Sequence, residues 1–252
     1  MADKIRKVKQ FYDKETSRYL ADRYAGESCE QFSYKARKQI VLEFLKNTEG
    51  NILDVGCGPA IFTAELFAMG LRPYSVDLSL EMLKKARTLA ALEHRASWFN
   101  CEIERLPFKD RTFDNVISIG VIAYTNDTLQ AIRELARVLK PGGLLVIQCS
   151  NSLAPTPAIV GLKDKILSCC GMRQQRWNFK LTSHRFGRFR KFLEQSGLHV
   201  EHKRSYDFRL PFLEKFFPIA AVNLMKRLQL RFEKSEKLGW LGEGYVVKAR
   251  KN

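Results

Sequence analysis

Three things are scarce in this chain. No apolar run approaches ~20 residues, so no segment is expected to cross a bilayer as a helix. Histidine occurs four times in 252 residues and the six cysteines are scattered, so no metal site is expected. The adjacent Cys169-Cys170 pair has no partner at ligand spacing and reads as a buried helix pair, and the simplest setting for free or buried thiols is a reduced cytoplasm. Acid is missing altogether between Asp164 and Glu194. The first seven residues carry charges with no apolar core behind them, which argues against a signal peptide. Internal repeats and low-complexity linkers are lacking too, so one domain over 1–252 is expected.

What is abundant is positive charge, and it is unevenly placed. Net charge is +16. Residues 151–252 carry 21 Lys and Arg against 8 Asp and Glu, while residues 1–150 carry 22 against 19. The basic character therefore belongs to the C-terminal part, which should attract an anionic partner: a phosphorylated substrate, an acidic lipid surface or nucleic acid. A merely soluble basic face remains the plain alternative.

Taken in order, residues 3–24 and 34–45 show helical spacing of apolar positions. Strands are predicted at 51–55, 72–76, 98–100, 115–119 and 144–149, with helices at 61–69, 79–90 and 127–139 between them. Lys140-Pro141-Gly142-Gly143 reads as a strong breaker. Residues 151–183 look like an insertion with short helices. Helix 184–196, strand 199–206, a basic amphipathic helix 212–233 and strand 245–249 follow. Strands alternating with helices call for a doubly wound, mostly parallel α/β sheet of seven strands. The N-terminal helices (1–46) precede a ligand-binding core (47–150), and a helical, basic C-terminal cap with the closing strands (151–252) completes the chain.

Ligands of such sheets bind beyond the carboxyl ends of the strands. Asp54, Gly56 and Gly58 end the first strand and Asp77 ends the second, 21 residues after Gly56. That is the distance at which an acid receives both ribose hydroxyls. A nucleoside-containing ligand is indicated. The expected third glycine is Ala60, and Asp54 sits where it would repel a pyrophosphate but welcome an ammonium or sulfonium. A cationic cofactor is therefore preferred over a dinucleotide. Ala60 is tolerable there if its φ is negative.

Leu53-Asp54-Val55-Gly56-Cys57-Gly58 and Val76-Asp77-Leu78-Ser79-Leu80-Glu81-Met82-Leu83 resemble the first two motifs of class I S-adenosylmethionine-dependent methyltransferases. Leu106-Pro107-Phe108, Thr112-Phe113-Asp114-Asn115-Val116 and Arg137-Val138-Leu139-Lys140-Pro141-Gly142-Gly143 resemble the small-molecule branch that includes the menaquinone and ubiquinone enzymes. The resemblance implies a Rossmann-like methyltransferase fold and S-adenosyl-L-methionine as cofactor. It implies Asp54, Gly56 and Gly58 at the methionine end and Asp77 on the ribose. Leu78 and Met82 would pack on the adenine, with Glu102 and Ile103 on its edge and the Gly120 carbonyl facing the ammonium. Cys101 with Glu102 stands where a Gly-Asp pair is common. Arg23, Tyr19 or Lys35 would serve the cofactor carboxylate.

The acceptor is less legible. His184 and Tyr124 are the candidates for a general base, with a phosphate contact or surface role as the alternative for His184 and packing for Tyr124. His94, His199 and His202 read as surface or strand residues. Cations and aromatics interleave over 172–191 and again over 212–232, which suits an anionic membrane surface, a lipid-like acceptor, nucleic acid or simply a lid packed on the domain. The expected activity is methyl transfer to a small molecule, anionic or lipid-linked, such as a quinone precursor or glycolipid. An RNA methyltransferase ranks below it because no RNA-binding module or Asn/Asp-Pro-Pro-aromatic motif is present. A cofactor-binding protein acting by interaction ranks below both, since Asp54, Gly56, Gly58 and Asp77 are intact.

Overall fold

Asn51-Ile52-Leu53-Asp54-Val55 shows how the chain builds its sheet. Alternate residues of this strand point to opposite faces, and both faces are apolar. Ile52 joins a core with Phe62, Leu66, Ile117, Val146 and Val246, while Leu53 and Val55 join another with Phe113, Leu135, Leu145 and Val247. A strand buried on both faces belongs in the middle of a sheet with helices above and below.

The computed structural model describes residues 2–88, 96–156 and 179–252. Seven strands form one sheet: β1 (Asn51–Val55), β2 (Arg72–Asp77), β3 (Ser97–Asn100), β4 (Phe113–Ser118), β5 (Leu139–Ser150), β6 (Leu198–Tyr206) and β7 (Gly244–Lys251). Their order is β3-β2-β1-β4-β5-β7-β6, and only β7 runs antiparallel to its neighbours. Order reverses between β1 and β4, so a crevice opens at their carboxyl ends. Helices α3 (Cys29–Phe44) and α4 (Thr63–Ala68) cover the Ile52 face, and α6 (Thr128–Val138) and α7 (Phe186–Gln195) cover the Leu53 face. Helix α5 (Leu80–Thr88) lies against β2 and β3, capped by Ser79, whose hydroxyl accepts from the Met82 N–H at 3.1 Å.

The doubly wound, mostly parallel sheet is as expected, and the differences have local causes. The predicted helix 3–24 is two helices, α1 (Ala2–Glu15) and α2 (Tyr19–Tyr24), parted by a turn in which the Thr16 hydroxyl donates to the Tyr12 carbonyl. Helix α3 starts five residues before its predicted start, at a capping box in which Ser28 and Gln31 bond each other's backbone N–H. Lys140–Gly143 does not break off before the strand. It bulges within β5, where the register jumps from Phe113 opposite Leu139 to Asn115 opposite Leu144. The predicted helix 212–233 is two, α8 (Pro211–Phe216) and α9 (Pro218–Phe232), since Pro218 has no N–H to continue the first and takes the opening turn of the second. Cys169-Cys170, His94 and the cation-aromatic stretch from 172 to 178 lie outside the described residues.

Ala60 was tolerable at negative φ; the structure gives it φ 65°. The left-handed region costs an L side chain roughly 1–2 kcal/mol, and glycine's extra freedom in the unfolded chain offsets about half of that. Ala60→Gly is therefore expected to raise stability by about 0.5 kcal/mol. Denaturant midpoints check this, and a lower midpoint for the glycine variant would contradict it.

Candidate active site

A cleft of about 770 Å³, counting the open solvent at its mouth, lies across the carboxyl ends of β1, β2 and β4. Gly56 and Gly58 form one wall, each with positive φ. A Cβ on Gly56 would sit 2.1 Å from Val121 Cγ2, so only glycine lets these two loops meet. The Gly56 and Cys57 N–H groups both donate to the Val76 carbonyl, which binds the loop to β2.

Asp77 is the organising side chain. One carboxylate oxygen accepts from the Gly58 N–H at 2.8 Å and the other from the Ser79 N–H at 2.8 Å. The carboxylate thus ties the glycine loop to the start of α5 while lining the cavity. Burial, only partly offset by these N–H donors, pushes its pKa up to about 6. Asp54 lies just behind the wall, almost fully buried, and its Oδ2 has no partner among the described residues. Burial, and then the charge on Asp77, push it to about 8. An orphaned buried carboxyl beside a second acid is a seat for a cation.

Eight of the nine expected cofactor positions line this cavity: Gly56, Gly58, Asp77, Leu78, Met82, Glu102, Ile103 and Gly120. Asp54, the ninth, meets it through the loop rather than at its surface. Asn100 holds the Asp77–Leu78 turn, its side-chain amide donating to both carbonyls at 2.8 and 2.9 Å. Gly120 is fixed by its N–H, which donates to Gln148 Oε1 at 2.9 Å. Glu104 holds the loop beyond β4, accepting from the Asn126 and Asp127 N–H groups.

The sequence candidates for catalysis are separated. Tyr124 lines the cavity, its ring edge-on to Tyr12 at 5.4 Å, and burial raises its pKa, so the phenol keeps its proton. His184 lies outside the cavity wall. Its Nε2 bonds Thr128 Oγ1 at 2.9 Å, its ring packs on Phe189 and Phe192, and burial followed by the charge of Arg188 lowers its pKa. This is a neutral histidine built into the α6–α7 packing.

Two features escaped the sequence reading. Helix α1 forms the roof of the cavity through Ile5, Val8 and Tyr12. It is pinned at one end by Lys4, donating to the Thr125 carbonyl at 2.7 Å, and at the other by Asp13, receiving the Ser79 hydroxyl at 2.5 Å. The second is Arg37. Its Nη1 is 3.6 Å from the point where a Cβ on Gly120 would lie, and its guanidinium faces the Tyr34 ring at 4.7 Å. Arg23 stacks on Tyr19 at 4.0 Å and bonds the Tyr34 hydroxyl, with Nη1 unpartnered among the described residues. Tyr19 in turn lies beside Gly58. Lys35 is exposed and donates to the Gly26 carbonyl, away from this cluster. Only an i, i+3 pair of helical positions, Tyr34 and Arg37, hinted at the arrangement, and nothing local tied it to Gly120.

The sheet order and this strand-end cavity are those of the Rossmann-like methyltransferase fold. Residues 53–147 match the methyltransferase domain family. The chain is 37% identical over 93 residues to a malonyl-[acyl-carrier protein] O-methyltransferase of Pseudescherichia vulneris, a match covering 37% of this chain and 36% of that one. It is 37% identical over 109 residues to the demethylmenaquinone methyltransferase of Clavibacter sepedonicus, covering 43% and 44%. The chain spans about a third to under a half of the length of these two curated relatives. A Haloferax volcanii methyltransferase solved with its activator superposes with a TM-score of 0.67 over 95% of this chain and 96% of that one, at 18% identity, a likeness of fold alone. Residues 53–147 thus carry a methyltransferase domain resembling those of class I S-adenosylmethionine-dependent methyltransferases, which supports S-adenosyl-L-methionine as its cofactor. The residues present suit that cofactor: an unpartnered buried carboxyl for its cationic end, and glycines that leave room for close approach.

Proposed function

We propose that this protein transfers a methyl group from S-adenosylmethionine to a small-molecule acceptor. The observation that carries the reading is Asp77, a half-buried carboxylate bonded to the glycine loop at the cavity wall, beside the orphaned Asp54. When bound, the cofactor supplies an activated methyl group. The chain's own part is to bind, orient and exclude water. Asp77 would receive the ribose hydroxyls, and Leu78 and Met82 would flank the adenine, with Glu102 and Ile103 on its edge. Asp54 and the Gly120 carbonyl would face the cationic end, and Arg23 and Arg37 the carboxylate.

The acceptor would enter beside Tyr12, Tyr124 and Thr125. The α1 roof favours a small or slender acceptor over a folded RNA, which ranks second on the basic charge alone. Histidine and lysine are absent from the described cavity lining, so a proton taken from the acceptor would pass to a carboxylate such as Glu102 or Glu104. An anionic or lipid-linked acceptor and a cytoplasmic setting belong to the same proposal. So does contact with an anionic membrane, for which the described residues offer surface docking only, because no helix is long and apolar enough to cross a bilayer.

Thermal unfolding tests the cofactor assignment. At ~100-fold excess over its Kd, S-adenosylmethionine is expected to add about 2.7 kcal/mol, several degrees in Tm. NAD should leave Tm unchanged. A shift with NAD and none with S-adenosylmethionine would overturn the reading.

A further inference from the structure

The α8–α9 corner presents a surface that the cavity does not use. Phe212, Phe216, Phe217 and Ile219 are 70%, 65%, 62% and 79% exposed within eight residues, around the break at Pro218. Lone exposed apolar residues are common, but four large ones on one corner mark a contact surface. They cannot turn inward, because α9 is already docked by its other side and α8 by Leu213. Ala221, Val222 and Met225 pack on Cys29 of α3, and the Gln229 amide donates to the Ser205 carbonyl at 3.0 Å. The apolar stripe expected over 212–232 is thus divided: Met225 is core, whereas the Phe212–Phe217 end is bare.

Along the outer side of α9 run Lys226, Arg227 and Arg231, with Lys234 in the turn after it and Lys215 beside Phe216 at the tip. All five are exposed, and among the described residues none is in an ion pair. From 210 to 237 the one exposed acid is Glu236. Glu233 is turned to Gln229 and Arg204.

We infer that this corner docks on the surface of an anionic bilayer, with the Phe212–Ile219 tip in the headgroup boundary and the α9 cations on lipid phosphates. An aromatic tip beside a cationic, almost acid-free helix face complements an interface that is apolar below and anionic above. A protein partner would have to match the same aromatic knob with acids, and nothing on this surface selects such a pattern. The inference rests on the membrane part of the proposed function and needs no methyl transfer. Its failure would leave the cofactor-induced Tm shift intact, and loss of that shift would leave vesicle binding intact.

Sedimentation of the full chain with vesicles tests it, comparing phosphatidylcholine alone with phosphatidylcholine containing about one-third phosphatidylserine. Wild type should pellet with the anionic vesicles at low salt. F212S/F216S/F217S should lose at least tenfold in partition while keeping its cofactor-induced Tm shift. K226E/R227E, which alters charge without touching the tip, should lose about fivefold or more per cation. Four results would overturn the inference: wild type staying in the supernatant, pelleting equally with neutral vesicles, a triple variant that binds anionic vesicles like wild type, or anionic polymer such as total RNA competing in a way only K226E/R227E abolishes. A wild-type dimer that the triple variant makes monomeric, without vesicle binding, would assign the corner to a second copy instead.

Discussion

Asp77→Ala is expected to weaken S-adenosylmethionine binding by about 100-fold or more. The carboxylate has two duties, and alanine removes both. It leaves the Gly58 and Ser79 N–H groups without their acceptor, and it removes the charged acceptor proposed for the ribose hydroxyls. A hydrogen bond to a charged group contributes about 1.5–3 kcal/mol, and a buried donor left unpaired costs about 1–3 kcal/mol. Loss of the two proposed bonds to the ribose hydroxyls comes to about 3 kcal/mol at its lower end, roughly 100-fold in Kd, while the unpaired loop N–H groups lower stability. Asp77→Asn, which keeps one acceptor for the loop but loses the charge, should fall between wild type and alanine. Calorimetric titration of the three proteins checks the order, and an unchanged affinity for the alanine variant would remove Asp77 from the site.

The second large effect is a proton. Burial and the neighbouring Asp77 hold Asp54 at about 8, far above an ordinary aspartate. The ligand-free fold therefore keeps a proton that the unfolded chain has released, so stability falls as pH rises from about 4 towards 8. A cationic cofactor reverses the preference, since its positive end favours the ionised carboxyl. Binding should then expel close to one proton at about pH 6.5, below the ~7.7 of a free α-amino group. Affinity should rise by up to about tenfold per pH unit until the pKa near 8 is passed. Titrations in two buffers of different ionisation enthalpy count that proton directly. Asp54→Asn should release far less, and its profile should be flat above the pKa of Asp77 near 6. A wild type that binds with no proton exchange would mean that Asp54 does not face the cationic end.

The parts of this molecule that repeat a local rule were legible in sequence, and the parts made by packing were not. β1 and the Asp77 end of β2 could be read to the residue, because short apolar runs bounded by turn residues leave little freedom in where a strand starts and stops. Gly56, Gly58 and Asp77 on the cavity wall followed from the strand-end rule, whereas Leu78, Met82, Glu102, Ile103 and Gly120 were expected only through the family resemblance. Ser28-Cys29-Glu30-Gln31 was a readable start for α3 but lay ahead of its apolar spacing. The α1 roof and the Arg37 approach to Gly120 were not legible, because both depend on how helices from residues 2–44 lie over loops some 80 to 120 residues later. His184 misled because a histidine at a helix start beside cations looks reactive, while its hydrogen bond to Thr128 and its aromatic neighbours are set by tertiary contact. Ala60 misled more simply: φ is not written in the residue type.

The most direct test of the central claim is label transfer. Purified protein would be incubated with methyl-labelled S-adenosylmethionine and, separately, with total small metabolites, a lipid extract and total RNA, each beside Asp77→Ala. The expected result is label in the metabolite or lipid fraction that depends on wild-type protein and falls with Asp77→Ala in step with cofactor affinity. Label confined to RNA, or equal label with wild type and Asp77→Ala, would contradict it.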